Sequence, residues 1–576
     1  MTDQPPVAGD ARTLRCLLLS DFNTRVLANH LAADGGELPL VVDAADYGQV
    51  AQVLADPAHG AWQPRPDCTV AWARAAAVSP AFARLLAGER CQTDELLADV
   101  DAYAALLVAA AGRCRMLLAP AWVAPASGRG RGPLDYRDGH GIQIALARMN
   151  VRLSEQLQGC DNVLVLDAQR WLLAGGERAH SPKMWFMGKV PYGAEVFTAA
   201  AADIRAALRA LQGRSRKLVV VDLDDTLWGG VVGDVGYEAL VLGGHHHAGE
   251  AFTAFQDELG LLKKRGVVLA IASKNTEAVA LEAIDQHPEM RLRRGDFAGW
   301  RINWSDKAAN IADLAAELRL GLDSVVFIDD NPVERERVRS ALPDVLVPDW
   351  PRDPMLYAHA LRGMDCFDTL HFTAEDADRA EAYARERVRR NARARVGDIA
   401  SWLRGLGTTV TVEPLSAANL QRTAQLLNKT NQMNLRTRRM AAAEFAAWAA
   451  MPGHHAWTFR VSDRFGDSGL TGIASLAIDG ADAMVADFVL SCRVMGRQVE
   501  EAMLAWVLAQ AQRLGARRVV ADFVASDRNQ PCLEVFMRSV PDAREAPRFT
   551  FDTGRPCPLP ESITLLEPGR AEEMDA

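Results

Sequence analysis

The sequence is poor in the features that usually announce a class, and each shortage excludes something. Nine cysteines are scattered over 576 residues with no Cys-x-x-Cys pair. A zinc site or disulfide framework is therefore not expected, and a reducing compartment fits. No stretch of eighteen uninterrupted apolar residues occurs, so no membrane-spanning helix is expected. The opening "MTDQPPVAGDART" lacks the basic-then-apolar profile of a leader, and a cytoplasmic location is expected. Positive charge is in deficit: 64 Lys and Arg face 74 Asp and Glu, a formal net charge of −10. That argues against a nucleic-acid binder dominated by phosphate contacts, with room left for a local basic patch, and no nucleic-acid or membrane partner is expected. No internal repeat is visible. What the chain does have is apolar material, 49% of its residues, in a length that exceeds one core and predicts two to four domains.

Residues 1–15 read as a disordered tail. Over 16–213, β-like runs alternate with Ala/Leu-rich helical stretches. The runs are "CLLLSDFN" (16–23), "LPLVVD" (38–43), "RMLLAP" (115–120) and "NVLVLD" (162–167). That alternation predicts a parallel sheet with helices on both faces. A polar, Gly-rich loop is expected over 127–141. A second α/β unit spans 214–372, with strands predicted at 218–224, 267–273, 324–330 and 344–349. The charged stretch 373–405 reads as a solvated linker helix. Residues 406–566 carry strands around one long helix, 496–515, which predicts an α+β domain. Residues 567–576 form an acidic tail, expected to be disordered.

The chemistry concentrates at strand ends of the second unit. "KLVVVDLDDTLWGG" (217–230) runs four aliphatic residues into Asp222, Asp224 and Asp225. Like charges this close are costly unless a cation or a proton intervenes. A hard divalent ion such as magnesium, which takes carboxylate and carbonyl oxygens, removes the cost. A second strand ends alike, "VVFIDD", in Asp329 and Asp330. Between them "LAIASKN" places Ser273 after a strand, a hydroxyl suited to a phosphoryl oxygen. "NWSDKAANI" places Lys307 at a helix start, capped by Ser305 or Asp306, where its ammonium would neutralise a nucleophile and a transferring phosphoryl group.

The order Asp-x-Asp-x-Thr, Ser, Lys, Asp-Asp, at gaps of 51, 34 and 22 residues, resembles the haloacid dehalogenase (HAD) phosphatase superfamily. The resemblance implies that Asp222 attacks phosphorus to give an aspartyl-phosphate. It implies that Asp224 protonates the leaving oxygen and then activates water. Asp222, Asp329, Asp330 and the Asp224 backbone carbonyl would hold magnesium. Which acid of the second pair touches the metal stays open. The short gaps leave no room for a large cap domain, so an open site is expected.

Further blocks narrow the resemblance: "DLDDTLWGGVVGDVG", "FIDDNPVERERV", "LLNKTNQMNLRTRR" (426–439) and "FVLSCRVMGRQVEEAML" (488–504). Together they resemble the FkbH family, HAD-type enzymes of polyketide and related natural-product pathways. The resemblance implies a phosphorylated three-carbon acid as substrate, 1,3-bisphosphoglycerate. Its glyceryl group would pass, with dephosphorylation, to the phosphopantetheine thiol of an acyl carrier protein. The alternative is a magnesium-dependent phosphatase of a protein or metabolite without acyl transfer. A docking scaffold with vestigial acids is a third reading. The implied substrate-side residues are Thr226, which would also fix the loop, Trp228, Gly229, Lys274 and Asn275, with Asn428, Lys429 and Asn431. The Asn428–Gln432 block reads either as a substrate or pantetheine channel or as capping chemistry. One departure is Asp225, where relatives often carry Asn; the added charge could alter metal affinity.

The C-terminal unit resembles the GNAT acyltransferase fold, whose [Q/R]xxGx[G/A] turn binds pyrophosphate at a helix N-terminus. Here the turn reads Arg493-Val-Met-Gly496-Arg497-Gln498, with Gln498 in place of the small residue. Arg493, Gly496 and Arg497 are the expected seat for a pantetheine phosphate. Cys492 reads as the nucleophile of a glyceryl thioester, its thiol acidified by the arginines and the helix end, or else as a buried apolar cysteine. In the first unit, "LLLSDFNT" (17–24) weakly resembles the first block of SGNH hydrolases. Phe22 stands where the nucleophile belongs, and Asn150 and His180 echo later blocks. The fold class expected is thus α/β multidomain: a degenerate SGNH-like domain, a capless HAD Rossmann-like domain and a GNAT-like α+β domain. "GGHHHAG" (243–249) reads as a solvated loop, and "SPKMWFMGKVPYG" (181–193) as a packed inter-domain seam.

Overall fold

In the computed structural model the aliphatic run Leu14–Ser20 forms β1, buried along almost its whole length as a strand covered on both faces must be. The structure describes residues 13–33, 38–124, 129–370, 389, 398–526, 528–539, 547–555 and 557–567. The chain divides into two compact units, Met1–Leu211 with Met440–Phe445, and Gln212–Arg439 with Ala446–Ala576. Among the described residues no helix is long and apolar enough to cross a membrane.

The first unit holds one parallel sheet: β1, β2 (Leu40–Ala44), β3 (Cys68–Trp72), β4 (Met116–Pro120) and β5 (Val163–Leu166). Their order is β2-β1-β3-β4-β5, a doubly wound arrangement whose topological switch point lies between β1 and β3. Sequence reading misses β3, a five-residue run diluted by Thr69 and Ala71, although every residue in it is buried. It also starts β1 two residues late, inside what reads as tail. The helices Thr93–Ala111 and Ile142–Leu157 share one apolar core with this sheet.

The second unit carries two sheets. The first is parallel, ordered β8-β7-β6-β9, from β6 (Leu218–Val221), β7 (Val268–Ser273), β8 (Phe297–Ile302) and β9 (Val325–Ile328). Alternation along β6 sends Val219 and Val221 into one buried layer and Leu218 and Val220 into the other. The strand expected at 344–349 does not form. Pro343 and Pro348 bracket that run, and only a single bridge, Val326 to Leu346, remains. The fourth strand is instead β8, at the opposite edge beside β7, whose "FAGWRI" hides its strand character behind Gly299 and Arg301.

The other sheet is mixed: β10 (Thr408–Pro414), β11 (Met433–Asn434), β12 (His454–Asp463), β13 (Gly466–Asp479), β14 (Asp482–Leu490), β15 (Arg518–Asp522), β16 (Arg548–Asp552) and β17 (Ile563–Leu566). The helix Val499–Arg513 packs on it through Val499, Ala502, Met503, Trp506 and Val507. Strands β14 and β15 run parallel and pair over only three residues before parting. Into the gap goes β11, antiparallel to Val489 and Leu490. Leu435 N–H donates to Phe488 O at 3.1 Å and Leu435 O accepts from Val524 N–H at 3.0 Å. The parted strands are thus stitched by the chain's own backbone.

The linker helix read over 373–405 lies outside the described residues, apart from Arg389 and residues 398–405, where the helix Ile399–Leu406 begins. The tails read at 1–15 and 567–576 lie outside them too, except for residues 13–15 and 567. Of the 127–141 loop, residues 129–141 are described and hold one short 3-10 turn, Gly132–Leu134. His246 caps the helix His247–Lys264, accepting from Ala248 N–H at 3.2 Å, so the histidine run opens a helix while staying exposed. In 181–193, Phe186 and Met187 are 80% and 72% exposed on the short helix Pro182–Gly188, while Val190 and Tyr192 are buried.

Candidate active site

Strands β6 and β9 are neighbours on either side of the switch point of their sheet, where the chain leaves outward through β7 and β8 and returns. Both therefore deliver their C-terminal residues to one crevice. Asp222 follows β6, its N–H bonded to Ile328 O at 3.0 Å, and Asp329 and Asp330 follow β9. The chain turns sharply after Asp222, with Leu223 O accepting from Thr226 N–H at 3.1 Å and Leu227 N–H at 2.7 Å. Asp225 sits in the left-handed region, φ 53°, which Asp and Asn tolerate better than most residues. Its Oδ1 accepts from Gly230 N–H at 2.8 Å and the residue is exposed. The departure at this position is accordingly a turn residue, outside the acid cluster.

Asp222, Asp329 and Asp330 each present one carboxylate oxygen, all within 4.8 Å of one another. Lys307, the first residue of the helix Lys307–Glu317 and 3% exposed, reaches in beside them. Its Nζ lies 2.6 Å from Asp329 Oδ2 and 3.1 Å from Asp222 Oδ1. Asp306 caps that helix, accepting from Ala309 N–H at 3.1 Å. Burial works to lower the Lys307 pKa, but the charges of Asp222 and Asp329 prevail and raise it. Burial and the Asp222 charge push Asp329 up to about 6 against the pull of Lys307. Asp330 is raised by burial too, opposed by its hydrogen bond from Thr226.

The donor set fits magnesium. Asp222 Oδ1 is buried and has no hydrogen-bond donor, since Lys307 stands at ion-pair distance without hydrogen-bond geometry. An orphaned carboxylate oxygen among two other acids is what a hard cation satisfies. Asp329 commits both oxygens, Oδ2 to Lys307 and Oδ1 to Asn331 N–H at 2.8 Å. Asp330 commits Oδ1, to the Thr226 hydroxyl at 3.1 Å. The geometry therefore favours Asp222 and Asp330 as direct ligands.

Asp224 points elsewhere. Its Oδ1 accepts from Trp228 Nε1 at 2.9 Å and Val232 N–H at 3.1 Å, and its Oδ2 from Asn275 Nδ2 at 2.9 Å. Burial raises its pKa, opposed by the Val232 and Trp228 hydrogen bonds. The three donors fix the orientation of this carboxyl, while its burial favours the protonated form. Any part it takes in metal binding is through its backbone carbonyl.

Several residues read as substrate contacts have other work. Trp228 is fully buried and orients Asp224. Gly229 is buried, and a Cβ there would come within 2.8 Å of the Phe252 ring, so the glycine serves close packing. Thr226 is buried and ties the two strand ends together, donating to Asp330 Oδ1 and accepting from Asp330 N–H at 3.0 Å. Asn275 is 5% exposed and belongs to Asp224. Lys274 is exposed, with Nζ 2.6 Å from Glu334. Ser273 is 2% exposed at the end of β7, as expected. Sequence reading missed Arg335, whose Nη1 donates to the carbonyls of Asp329 at 2.8 Å and Asp330 at 2.7 Å. Its signal was its place one turn into the helix that follows the acid pair. Between Trp228 and Gly266 lie two short turns and one helix, with no cap fold.

A second cavity, of about 400 Å³, opens at the other end of the same sheet. Lys217, Arg319, Arg422, Lys429, Arg493 and Arg528 line it, against one acid, Asp323, which pairs with Arg528 at 2.6 Å. Cys492, Thr430, Asn431 and Gln432 line it as well. Asn428, Gly496 and Arg497 do not. Gly496 N–H donates to Glu500 Oε1 at 2.9 Å, and Arg497 is 6% exposed with its guanidinium 3.1 Å from the buried Asp463. The expected phosphate seat at the turn is therefore filled from within. Lys217 precedes β6 and Asp222 follows it, so five residues, roughly 16 Å, separate the cavity from the acid cluster.

No family model matches the chain, and no curated protein matches it. Among solved structures, the chain is similar to the N-terminal part of a Bacteroides fragilis protein that contains a phosphatase domain and was crystallised in complex with magnesium. Identity is 28%, over 62% of this chain and 95% of that one, with a TM-score of 0.57. The Escherichia coli ribosomal-protein-S18-alanine N-acetyltransferase matches at 9% identity, over 22% of this chain and 75% of its own, with a TM-score of 0.19. A Vibrio cholerae spermidine N-acetyltransferase variant matches at 12% identity, over 25% and 94%, again with a TM-score of 0.19. At those scores the two acetyltransferases carry no argument.

Proposed function

We propose that the chain is a magnesium-dependent phosphatase that forms an aspartyl-phosphate on Asp222 and couples it to glyceryl transfer onto an acyl carrier protein. The observation that carries the phosphatase is the three-acid cluster with Lys307 set into it; the likeness to a magnesium-complexed phosphatase domain supports it. When bound, magnesium would screen the carboxylates and the phosphoryl oxygens from one another. Asp222 takes up phosphorus as the ester oxygen leaves. Asp224, oriented by Trp228, Val232 and Asn275, protonates that oxygen and then deprotonates the water that releases orthophosphate. Ser273 and Lys307 hold the phosphoryl oxygens.

The finer reading rests on the motif resemblance, and the basic cavity containing Cys492 supports it. The Cys492 thiolate attacks C1 of 1,3-bisphosphoglycerate, the bond from C1 to the phosphate oxygen breaks, orthophosphate leaves and a thioester forms. The arm thiol of the carrier then attacks the thioester and regenerates Cys492. The remaining phosphomonoester is cleaved at Asp222. Lys429 and Arg493 take the arm's phosphodiester. Two sites roughly 16 Å apart divide the work into separate stages.

Intact-mass analysis of a holo-carrier incubated with enzyme, magnesium and 1,3-bisphosphoglycerate tests the reading. A gain of one glyceryl is expected. Free phosphate with an unmodified carrier would reduce the function to a plain phosphatase. Unchanged phosphate release in Asp222→Asn would remove the site altogether.

A further inference from the structure

The first unit has its own cavity, of about 300 Å³, beyond the C-terminal ends of β3 and β4 and next to the switch point. Open parallel sheets bind their ligands in that place. Six aromatic rings line it, with Trp72, Trp122, Trp185 and Tyr192 among them. Trp72 stacks on Tyr192 at 5.2 Å and meets Trp171 edge-on at 5.0 Å, so the floor is rigid.

The polar groups at the cavity are few, and most are already used. Arg74 lies over the Trp185 ring at 4.1 Å, but its charge is cancelled by Asp21, Nε to Oδ2 at 2.7 Å. Asp21 Oδ1 also accepts from Arg74 N–H at 2.9 Å. Ser181 caps the short helix Pro182–Gly188, accepting from Met184 N–H at 3.4 Å. Phe22, fully buried, fills the strand-end position where a serine nucleophile would stand, and packs edge-on to Trp72 and Tyr192.

His180 is the exception. Its Nδ1 is 3.0 Å from Pro191 O, a contact that requires the proton on Nδ1 and leaves Nε2 as an acceptor. Nε2 is buried and has no hydrogen-bond partner. Burial lowers the ring's pKa, which keeps it neutral. A buried acceptor left unmade is costly and is relieved when a donor arrives. Phe186, which lines the cavity, exposes apolar surface that a folded chain ordinarily covers, and so does its neighbour Met187.

We propose that this cavity binds a small neutral molecule with a flat apolar body and one O–H or N–H group, which donates to His180 Nε2. The volume admits on the order of a dozen non-hydrogen atoms. With Arg74 neutralised by Asp21 there is no charge to recruit an ion. The site is for recognition, and it is independent of the phosphatase centre.

The test uses the full chain and two probes that share a ring system, 1-naphthol and 1-methoxynaphthalene, the second lacking the O–H. Calorimetric titration should give one 1-naphthol per chain, bound at least tenfold more tightly than the ether. His180→Leu should shrink that preference to less than about threefold, while Asp222→Asn leaves it intact. Phe186→Asp, on an exposed position that the fold does not need, should weaken both probes at least tenfold. Absence of saturable binding, a preference that survives in folded His180→Leu, or unaltered binding in Phe186→Asp would each overturn the proposal.

Discussion

Replacing Lys307 with methionine isolates the electrostatics of the candidate site. The side chain is 4% exposed and faces two carboxylates that are 9% and 0% exposed. Methionine keeps most of the volume and removes the charge, leaving Asp222 and Asp329 uncompensated. Two unit charges 4.8 Å apart, the outer spacing in the cluster, repel by about 3.5 kcal/mol at an effective dielectric constant of 20. Removing one partner of a buried pair costs about 3–5 kcal/mol. At about 2 °C per kcal/mol for a domain of 150–250 residues, Tm in EDTA should fall by roughly 6–10 °C. Magnesium compensates the same charges. Its stabilisation, about 2.7 kcal/mol at a hundred times its Kd, should therefore be larger in Lys307→Met than in the parent. Proton linkage gives a second readout. The Asp329 carboxyl is pushed up to about 6 in the folded state, against about 4 in the unfolded chain. Its stabilising contribution is complete below about pH 4 and is lost as pH rises through about 6. Metal-free Lys307→Met should accordingly regain stability at pH 5. Thermal unfolding in EDTA and in MgCl2, at pH 5 and 7.5, decides. A variant as stable as the parent in EDTA, or an equal magnesium shift in both, would refute the account of the cluster.

Asp224→Asn should lower kcat by about 10²–10⁴-fold, the range for a lost general acid–base group, in an assay of phosphate release. Trp228→Phe should lower kcat about tenfold with KM steady, because the buried indole touches Asp224 and not the substrate. Asp463→Asn should cost about 3–5 kcal/mol in urea unfolding, since it neutralises a side chain that is 0% exposed and lies 2.8 Å from Arg389 and 3.1 Å from Arg497. Trp72→Ala should cost about 3–5 kcal/mol through the cavity it opens in the aromatic floor.

The acid cluster was legible because strand ends are local. An aliphatic run that stops at an acid names both the strand and the place its carboxylate will occupy, as at Asp222 and Asp329; Ser273 at a strand end and Lys307 at a helix start were read from their order between those two. What sequence could not supply was direction. Trp228, Gly229 and Asn275 sit beside the motif in the chain, yet the fold turns them inward, to Asp224 and to the Phe252 ring. The basic cavity was half legible: Cys492, Arg493 and Lys429 were read, but Lys217, Arg319 and Arg528 come from other parts of the chain that only the folded unit brings together. Strand β11 escaped because two residues carry no periodicity. Its existence follows from a gap between β14 and β15 that must have its backbone groups satisfied. The strands β3 and β8 were missed for dilution, a threonine or a glycine interrupting the aliphatic signal.

Strand β6 is four residues long, wholly buried, and hydrogen-bonded along its length to β7 on one side and β9 on the other. A rod clamped on both edges neither slips nor flexes. One of its ends feeds Asp222 and the other begins beside the cavity of Cys492, so the separation of the two stations is a constant of the molecule. Any cargo handed between them has to do the travelling itself.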